Sequence, residues 1–311
     1  MHYYYIDVLR CVAAILITNS HYNNIWPIGA LATGGSLGNT LFFAISGYCL
    51  SETKKVSFIE WMKKRLMRIY PPVLIVTFIE FVLLNHEVKT IKDIIKYFVY
   101  PTQFWFASAI ILFYILFYFI TKYMDKYIHI LMITTLCLYV FVYVTMLDIS
   151  RWSIEGTGYF KWIYYFLIML LGRRLKTNQE ISKNDAAMWQ LIVSVSLYFM
   201  FKIVLDLYPR LMPFQFISHI ISGWFMIVAF KLGFFYENKI NKFVGTKGYV
   251  VVSFISSLTF EIYLVQTFII RRFENWAFPI NFIVVTVMIG IEAFLLNRAI
   301  WIFQNIRTKH R

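Results

Sequence analysis

Long apolar segments recur along the chain and alternate with short polar segments that are rich in lysine and arginine. Three of the apolar segments, 104–121, 127–147 and 211–230, contain no Asp, Glu, Lys or Arg. Each is about long enough to cross the ~30 Å of hydrocarbon in a bilayer as a helix. Because backbone groups have no water to bond in lipid, such segments must be helical. The pattern therefore predicts an all-α, polytopic membrane protein.

The same pattern, followed along the whole chain, predicts ten transmembrane helices joined by short loops. We expect a single transmembrane domain over residues 1–311, with no soluble domain appended, and we find no internal repeat. The predicted spans are 3–20, 36–51, 69–85, 103–121, 127–147, 158–172, 186–206, 211–231, 248–270 and 277–303.

Composition supports this class, because 60% of the residues are apolar and only 15% are charged, against about 25% charged in soluble domains. The first span lacks a basic segment before it and is interrupted by Arg10, so we expect it to be retained rather than cleaved as a signal peptide. The three cysteines all fall in predicted spans. They indicate packing, and neither a disulfide framework nor a metal site.

Charge distribution predicts the orientation. An even number of spans places both termini on one side, and with cytoplasmic termini 19 of the 30 lysines and arginines lie in cytoplasmic segments, as the positive-inside rule requires. Arg271 and Arg272 are exceptions. The net charge of +14 is thus explained by topology and by attraction to anionic lipid in the bilayer, and we expect no nucleic-acid partner.

Arg10 and His21 are the strongest candidates for chemistry. If the first helix runs on to His21, the two residues share one face and lie roughly 16 Å apart along the axis. An arginine in hydrocarbon costs on the order of 3 kcal/mol, which makes it a functional candidate, and a histidine among uncharged polar neighbours suits a general base. Asp7 can pair with Arg10. The alternatives are that this pair only locks the helix, that Arg10 snorkels, and that His21 lies in the interface.

A basic patch lies on the cytoplasmic side of the third span. Lys64, Arg65 and Arg68 fall close together on a helix, and we expect Pro71 and Pro72 to set its junction with the span. Such a patch can bind phosphates. It is also typical of a positive-inside loop, so both readings stay open.

Other polar residues within spans are weaker signals. Ser46, beside a glycine, permits close helix approach, Glu261 lies near Tyr263 in the ninth span, and Glu292 and Arg298 are candidate intramembrane partners. A transporter also places polar residues along its pathway, so polarity alone does not separate an enzyme from a carrier.

Taken together, these segments resemble the acyltransferase-three family of integral membrane O-acyltransferases, of the polysaccharide O-acetyltransferase type. The match consists of five motifs in order over essentially the whole chain: Asp7 to Arg10 with His21 eleven residues on, 39–48 with its Phe-Phe and Ser-Gly-aromatic signature, the basic-Arg-Leu-x-Arg-Ile-x-Pro motif at 64–72, Trp105-Phe106, and the late Tyr-Leu helix at 261–266. Two positions depart from the pattern. Gln266 stands where many relatives have histidine, and an amide does not titrate; Asn39 stands where an acidic residue is common.

The resemblance implies transfer of an acyl group, usually acetyl, from a coenzyme A thioester to a hydroxyl of an extracytoplasmic carbohydrate. The acceptor is a surface polysaccharide or its lipid-linked precursor, and the location is a bacterial plasma or inner membrane. Acetyl-CoA, or another short acyl-CoA, is expected as a co-substrate, with no bound cofactor.

From the residues and the resemblance together we expect roles for individual residues. His21 and Arg10 are expected to be catalytic, as general base or acyl-histidine relay and as phosphate ligand or charge stabiliser. Lys64, Arg65 and Arg68 are expected to hold the donor phosphates. Trp105 and Phe106 are candidates to stack on a sugar, although aromatics also form the usual interfacial belt. The expected supporting residues are Asp7, Ser46, Glu261 and Tyr263.

The rival hypothesis is a membrane carrier or flippase that exports an oligosaccharide without modifying it. The lack of an internal repeat and of paired Gly/Pro-broken spans favours the enzyme. The sequence leaves open the acceptor polymer and hydroxyl, acetyl against succinyl, direct transfer against an acyl-histidine, and the oligomeric state, including a homo-oligomer.

Overall fold

The computed structural model describes residues 3–50, 56–148, 153–156, 158–177 and 187–309. These residues contain α-helices, short 3₁₀ and π-helical segments and no β-strand, which confirms the all-α prediction. The α-helices are α1 (Tyr4–Ser20), α2 (Gly35–Cys49), α3 (Phe58–Thr77), α4 (Ile91–Ile94), α5 (Trp105–Tyr123), α6 (Ile128–Thr145), α7 (Phe160–Thr177), α8 (Ala187–Leu207), α9 (Phe216–Phe243), α10 (Lys247–Ser257), α11 (Thr259–Phe273) and α12 (Ile280–Lys309).

The chain divides into two compact units. Unit one comprises Met1–Asn23, Ile28–Glu52 and Met124–Ser257, and unit two comprises Asn24–Pro27, Thr53–Tyr123 and Leu258–Arg311. Helices α1, α2 and α6 to α10 therefore belong to unit one, and α3 to α5, α11 and α12 belong to unit two. The expectation of one transmembrane domain stays a prediction.

Every predicted span is largely helical, but the count of ten is not confirmed. Among the described residues, six helices are long and apolar enough to cross a membrane: Phe58–Leu84, Trp105–Tyr123, Asp125–Thr145, Ala187–Leu207, Phe216–Phe243 and Ile280–Ile302. Helices α1 and α2 have 17 and 15 residues, fewer than the ~20 that a span needs. Helix α7 has 18 residues but includes several cations: Lys161, Arg173, Arg174 and Lys176.

One predicted boundary was wrong, and one predicted span is broken into two helices. Helix α3 runs through Pro71 and Pro72 to Thr77 and continues as a π-helix to Leu84, so the prolines do not separate the basic patch from the apolar segment. They remove two donors from the helix without ending it. The predicted span 248–270 consists of two helices, because Leu258 between them has a non-helical backbone with ψ of 8°; together the two helices are long and apolar enough to form one broken span.

Glycines allow the helices of unit one to pack backbone against backbone. A Cβ atom at Gly47 of α2 would overlap the carbonyl oxygen of Met169 on α7, and one at Gly172 of α7 would overlap that of Ala44 on α2. The close approach predicted beside Ser46 is thus confirmed. Without a hydrophobic driving force between helices in lipid, close packing through small residues is what holds them together.

The order of contacts along α2 shows which helix ends meet. The Thr40 and Tyr164 hydroxyls lie 3.3 Å apart, and one to two turns later Gly47 meets Met169, so α2 and α7 run parallel. At the start of α2, a Cβ at Gly35 would lie 2.7 Å from Ser20 Oγ at the end of α1. The end of α1 and the starts of α2 and α7 therefore lie at the same end of unit one.

In unit two, Arg272 joins the helices through two carboxylates. Its guanidinium lies 2.5 Å from Glu80 in the π-helical segment and 3.3 Å from Glu292 on α12. The expected pairing of Glu292 with Arg298 was wrong, since Arg298 instead lies 5.3 Å above the ring of Phe294. These two carboxylates stabilise the charge of Arg272, which ran against the positive-inside pattern.

We expect Gly47→Ala to destabilise the protein by about 1–3 kcal/mol, because the added Cβ meets backbone that has no rotamer to change. The measurement is the thermal unfolding midpoint of the detergent-purified full chain. Gly290→Ala is the matched control, since Gly290 lies on α12 with no atom within 4 Å of an added Cβ and alanine raises helix propensity. Equal midpoints for the two variants would contradict the packing account.

Candidate functional site

Arg10 is partly exposed on α1 and is held by two neighbours in unit one. Its Nη1 lies 3.6 Å from Asp7 Oδ1, which confirms the predicted pair, and its Nη2 donates to Cys49 Sγ at 3.6 Å. The buried Asp7 carboxylate also accepts hydrogen bonds from Tyr249 at 2.9 Å and Ser256 at 3.3 Å. Asp7 therefore links α1 to α10 and holds the Arg10 guanidinium in place. The guanidinium remains partly exposed.

His21 follows the last residue of α1 and keeps a helical backbone conformation. Its side chain is exposed, and within the described part of the chain no hydrogen bond engages the imidazole. The surrounding protein nevertheless desolvates the ring, and this, followed by the charge of Lys161, lowers the pKa of His21. An accessible imidazole that stays neutral near pH 7 is what a general base or acyl carrier requires.

The polar side chains that precede His21 donate hydrogen bonds to backbone carbonyls rather than to the imidazole. Asn19 Nδ2 donates to the carbonyls of Leu31 at 2.7 Å and Thr33 at 2.9 Å, and Ser20 Oγ donates to Ile17 at 2.7 Å. These bonds tie the loop before α2 to the end of α1. They position His21 through the backbone, because its helix end is held on both sides.

A second histidine of unit one lies in a buried polar cluster that is not among the sites predicted from the sequence. His219 on α9 is 2% exposed; its Nε2 donates to Glu155 Oε1 at 2.8 Å, and its Nδ1 lies 2.8 Å from the Tyr139 hydroxyl. Tyr165 donates to the same carboxylate at 3.0 Å. Both ring nitrogens of His219 are engaged, so its imidazole is not available to a substrate. The imidazole of His21 is accessible.

Lys161 completes this cluster, which we call the Glu155 network: Tyr139, Glu155, Lys161, Tyr165 and His219. Lys161 is 9% exposed, and its Nζ donates to the backbone carbonyl of Glu155 at 2.6 Å. Burial alone would raise the pKa of Glu155, but the hydrogen bond and charge of His219, with the charge of Lys161, outweigh it and lower the pKa. The carboxylate is therefore ionised at neutral pH and holds the network together.

Two signals in the sequence point to this network. His219 is an ionisable residue in the middle of a segment without Asp, Glu, Lys or Arg, and such residues within membrane segments are functional candidates. Glu155 is an acidic residue of the short connection between predicted spans. Neither signal shows that the two residues meet, since 64 residues separate them.

The basic patch lies on α3 in unit two, ahead of the two prolines. Lys64 and Arg68 are exposed, whereas Arg65 is partly buried with its guanidinium 5.1 Å above the ring of Trp61. Two exposed cations one turn apart on a rigid helix can bind a phosphate from two directions. Trp61 restricts Arg65, which therefore presents only part of its donor set.

The remaining predicted residues have structural partners. Tyr263 accepts a hydrogen bond at 3.2 Å from the backbone N–H of Phe106, in the first turn of α5, and Glu261 accepts one from Asn297 at 2.9 Å. Phe106 is 4% exposed, whereas Trp105 is partly exposed. In unit one, Ser46 Oγ bonds the carbonyl one turn earlier on its own helix.

The structure thus brings Asp7 to Arg10 and Tyr263 to Phe106. Asp7, Arg10, Ser46 and His21 belong to unit one, whereas the basic patch and the aromatic pair belong to unit two. No group of His, Cys, Asp and Glu side chains among the described residues is placed to hold a metal ion.

Comparisons with known proteins identify a family. A model described as an acyltransferase domain matches residues 3–301. The chain is also similar to the O-acetyltransferase OatA of Staphylococcus aureus strains NCTC 8325 / PS 47, COL and MRSA252, with 32% identity over 116 residues. The alignment covers 33% of this chain and 18% of each relative, so the chain spans less than a fifth of the length of these relatives. No solved structure matches.

We expect Glu155 to make stability depend on pH in acid. Since folding lowers its pKa below the ordinary 4.5, the ionised carboxylate stabilises the fold above that value, and this contribution is lost as the pH falls toward the lower, folded-state pKa. The wild-type thermal midpoint should therefore fall more steeply than that of Glu155→Gln between about pH 5 and about pH 3. Glu60→Gln, at an exposed site on α3, should follow the wild type. A wild-type slope equal to that of Glu155→Gln would contradict this assignment.

Proposed function

The chain belongs to the acyltransferase family, and on that basis we propose that it is a membrane O-acyltransferase. It transfers an acetyl or other short acyl group from a coenzyme A thioester to a sugar hydroxyl of a surface polysaccharide or its lipid-linked precursor. The observation that carries the proposal is the His21 imidazole, which is exposed and free of hydrogen bonds to described residues, at the end of the helix that carries Arg10. A structural histidine would be engaged on both nitrogens, as His219 is.

In the proposed reaction, His21 removes the proton from the acceptor hydroxyl. The alkoxide oxygen attacks the thioester carbonyl, the carbon–sulfur bond breaks, and the coenzyme A thiolate takes the proton from the imidazolium. In the alternative route, His21 first receives the acyl group and then passes it to the hydroxyl. Both routes need a neutral, accessible imidazole, which its lowered pKa supports.

Arg10 supplies positive charge within an apolar helix. Its pairing with Asp7 holds the guanidinium in place, while its partial exposure leaves donors available to a ligand. We propose that these donors bind a donor phosphate or the developing oxyanion, either of which is favoured by a fixed, preorganised cation.

On the donor side, Lys64, Arg65 and Arg68 bind the phosphates of coenzyme A. Arg68 and Lys64 are exposed, and Arg65 is oriented by Trp61. This assignment places the patch in the cytoplasm, where the donor is made. It agrees with ten crossings and cytoplasmic termini in a bacterial plasma or inner membrane.

On the acceptor side, Trp105 is the aromatic residue that can stack on a sugar ring. Its neighbour Phe106 is 4% exposed and packs against Trp105, with the two ring centroids 6.0 Å apart. The hydrogen bond that the backbone N–H of Phe106 donates to the Tyr263 hydroxyl holds the first turn of α5. Tyr263 is thereby a supporting residue.

We expect His21→Ala to lower acyl transfer at least about 100-fold, because proton transfer by a positioned base contributes about that much or more. The measurement is transfer of radiolabel from acetyl-coenzyme A into polysaccharide by membranes with matched amounts of protein. Succinyl-coenzyme A is run in parallel.

His129→Ala is the matched control, since His129 is an exposed histidine of the same unit at the start of α6, and it should retain wild-type transfer. Full transfer by His21→Ala would overturn the proposed mechanism. No transfer of either acyl group by the wild type would favour the rival carrier.

We expect Arg68→Gln to raise the KM for the acyl donor about tenfold with little change in kcat, because a lost charge-assisted hydrogen bond to phosphate is worth about 1.5–3 kcal/mol of binding. Initial rates against donor concentration measure this. Lys63→Gln, an exposed neighbour on the same helix, controls for loss of general surface charge. An unchanged KM in Arg68→Gln would contradict phosphate binding by the patch. The basic residues would then be explained by the positive-inside rule alone.

A further inference from the structure

We propose that Lys161 is a positioning residue of the reaction centre, whose buried ammonium keeps the His21 imidazole in its neutral, proton-accepting form. The role in transfer rests on the proposed function, whereas the electrostatic effect on His21 does not. Two observations support the proposal: Lys161 is buried in the first turn of α7, and the exposed His21 lies at the same end of unit one.

The packing of α1, α2 and α7 places the two residues at this common end. His21 follows Ser20, which meets Gly35 at the start of α2. Lys161 is the second residue of α7, one turn before Tyr164, whose hydroxyl lies 3.3 Å from that of Thr40 in the first half of α2. Because α2 and α7 run parallel, Lys161 and His21 both lie at the end of unit one where α2 begins.

The Glu155 network holds the ammonium in this place. Lys161 Nζ donates to the Glu155 carbonyl at 2.6 Å, and the Glu155 carboxylate is fixed by His219 and Tyr165 at 2.8 and 3.0 Å. A lysine that was not held in this way would move into solvent, where water would screen its charge. At 9% exposure, the charge of Lys161 is screened little and acts over a longer distance.

The other charged and titratable groups on α1 and its neighbours do not replace Lys161. Asp7, Arg10, Cys49 and Tyr249 contact one another, and His219 is bonded to Glu155 and Tyr139. Glu237 accepts from the backbone N–H groups of Tyr4 and Tyr5 at the opposite end of α1. The remaining groups are Tyr4, Tyr5 and Cys11 on α1, Tyr22, which is buried and follows His21, Tyr48 on the last turn of α2, Lys231, Tyr236, Lys239 and Lys242 on the second half of α9, Lys247 at the start of α10, and Tyr164, Tyr165, Arg173, Arg174 and Lys176 on α7.

The sign of the effect follows from charge. A nearby ammonium disfavours the imidazolium, so it lowers the pKa of His21 and adds to the lowering by desolvation. A negative charge close to Lys161 acts in the opposite direction. Glu155 supplies that charge, so the network sets how strongly the lysine acts on the histidine.

The test measures the protonation of His21 without substrate or turnover. Diethylpyrocarbonate acylates neutral imidazole only, and mass spectrometry of the peptide that contains His21 gives the pH midpoint of its modification in the detergent-purified full chain. We expect this midpoint to move to higher pH in Lys161→Gln. Glutamine can still donate to the Glu155 carbonyl, so the charge is removed while the buried acceptor keeps a partner.

Three further variants make the result specific. Lys161→Arg keeps the charge and should keep the wild-type midpoint, and so should Lys242→Gln, which removes an exposed lysine of the same unit. Glu155→Gln should move the midpoint to lower pH, in the opposite direction to Lys161→Gln, and it gives an independent answer if Lys161→Gln does not fold.

An unchanged His21 midpoint in Lys161→Gln, or a shift to higher pH in Glu155→Gln, overturns the proposal. The proposed function fails by a different result, which is full acyl transfer by His21→Ala. The modification midpoints are measured without substrate and do not depend on that result. The two inferences are therefore tested separately.

Discussion

The backbone contact between α2 and α7 is the packing feature on which the rest of unit one depends. Gly47 and Gly172 each lie against a carbonyl of the other helix, with no space for a side chain. This contact brings Thr40 to Tyr164 and stacks Phe43 on Tyr165, with ring centroids 5.0 Å apart. In lipid, where apolar surface alone does not drive helices together, such contacts decide which helix faces meet. The buried tyrosines that reach Glu155 and His219 are held by this packing.

Buried charge imposes the second constraint, because an ion without a partner is costly in an apolar interior. Two carboxylates of unit one have such partners: Asp7 has Arg10, Tyr249 and Ser256, and Glu155 has His219 and Tyr165. In unit two, Glu80 and Glu292 share Arg272. These interactions join helices that are far apart in the chain, so the polar residues of the membrane segments also determine their packing.

Two histidines of unit one have different roles, one structural and one suited to catalysis. His219 is 2% exposed and bonded on both ring nitrogens, whereas His21 is exposed. A bonded imidazole fixes a carboxylate and two helices, while an accessible one can exchange a proton or an acyl group with a substrate. The same residue type therefore has opposite roles, and the surroundings decide which role each one takes.

Sequence by itself determined the helical class, the position of almost every helix, the Asp7–Arg10 pair and the glycine contact beside Ser46, because these depend on hydropathy and on neighbours three or four residues apart. It also indicated His21, which follows the last residue of the helix that carries Arg10. Only the tertiary structure decided that Pro71 and Pro72 lie within a helix, that Leu258 interrupts one, that Arg272 rather than Arg298 meets Glu292, and that Glu155 meets His219 and Lys161. Those outcomes depend on contacts between residues distant in sequence, where several partners of equal charge or polarity are available and packing selects one.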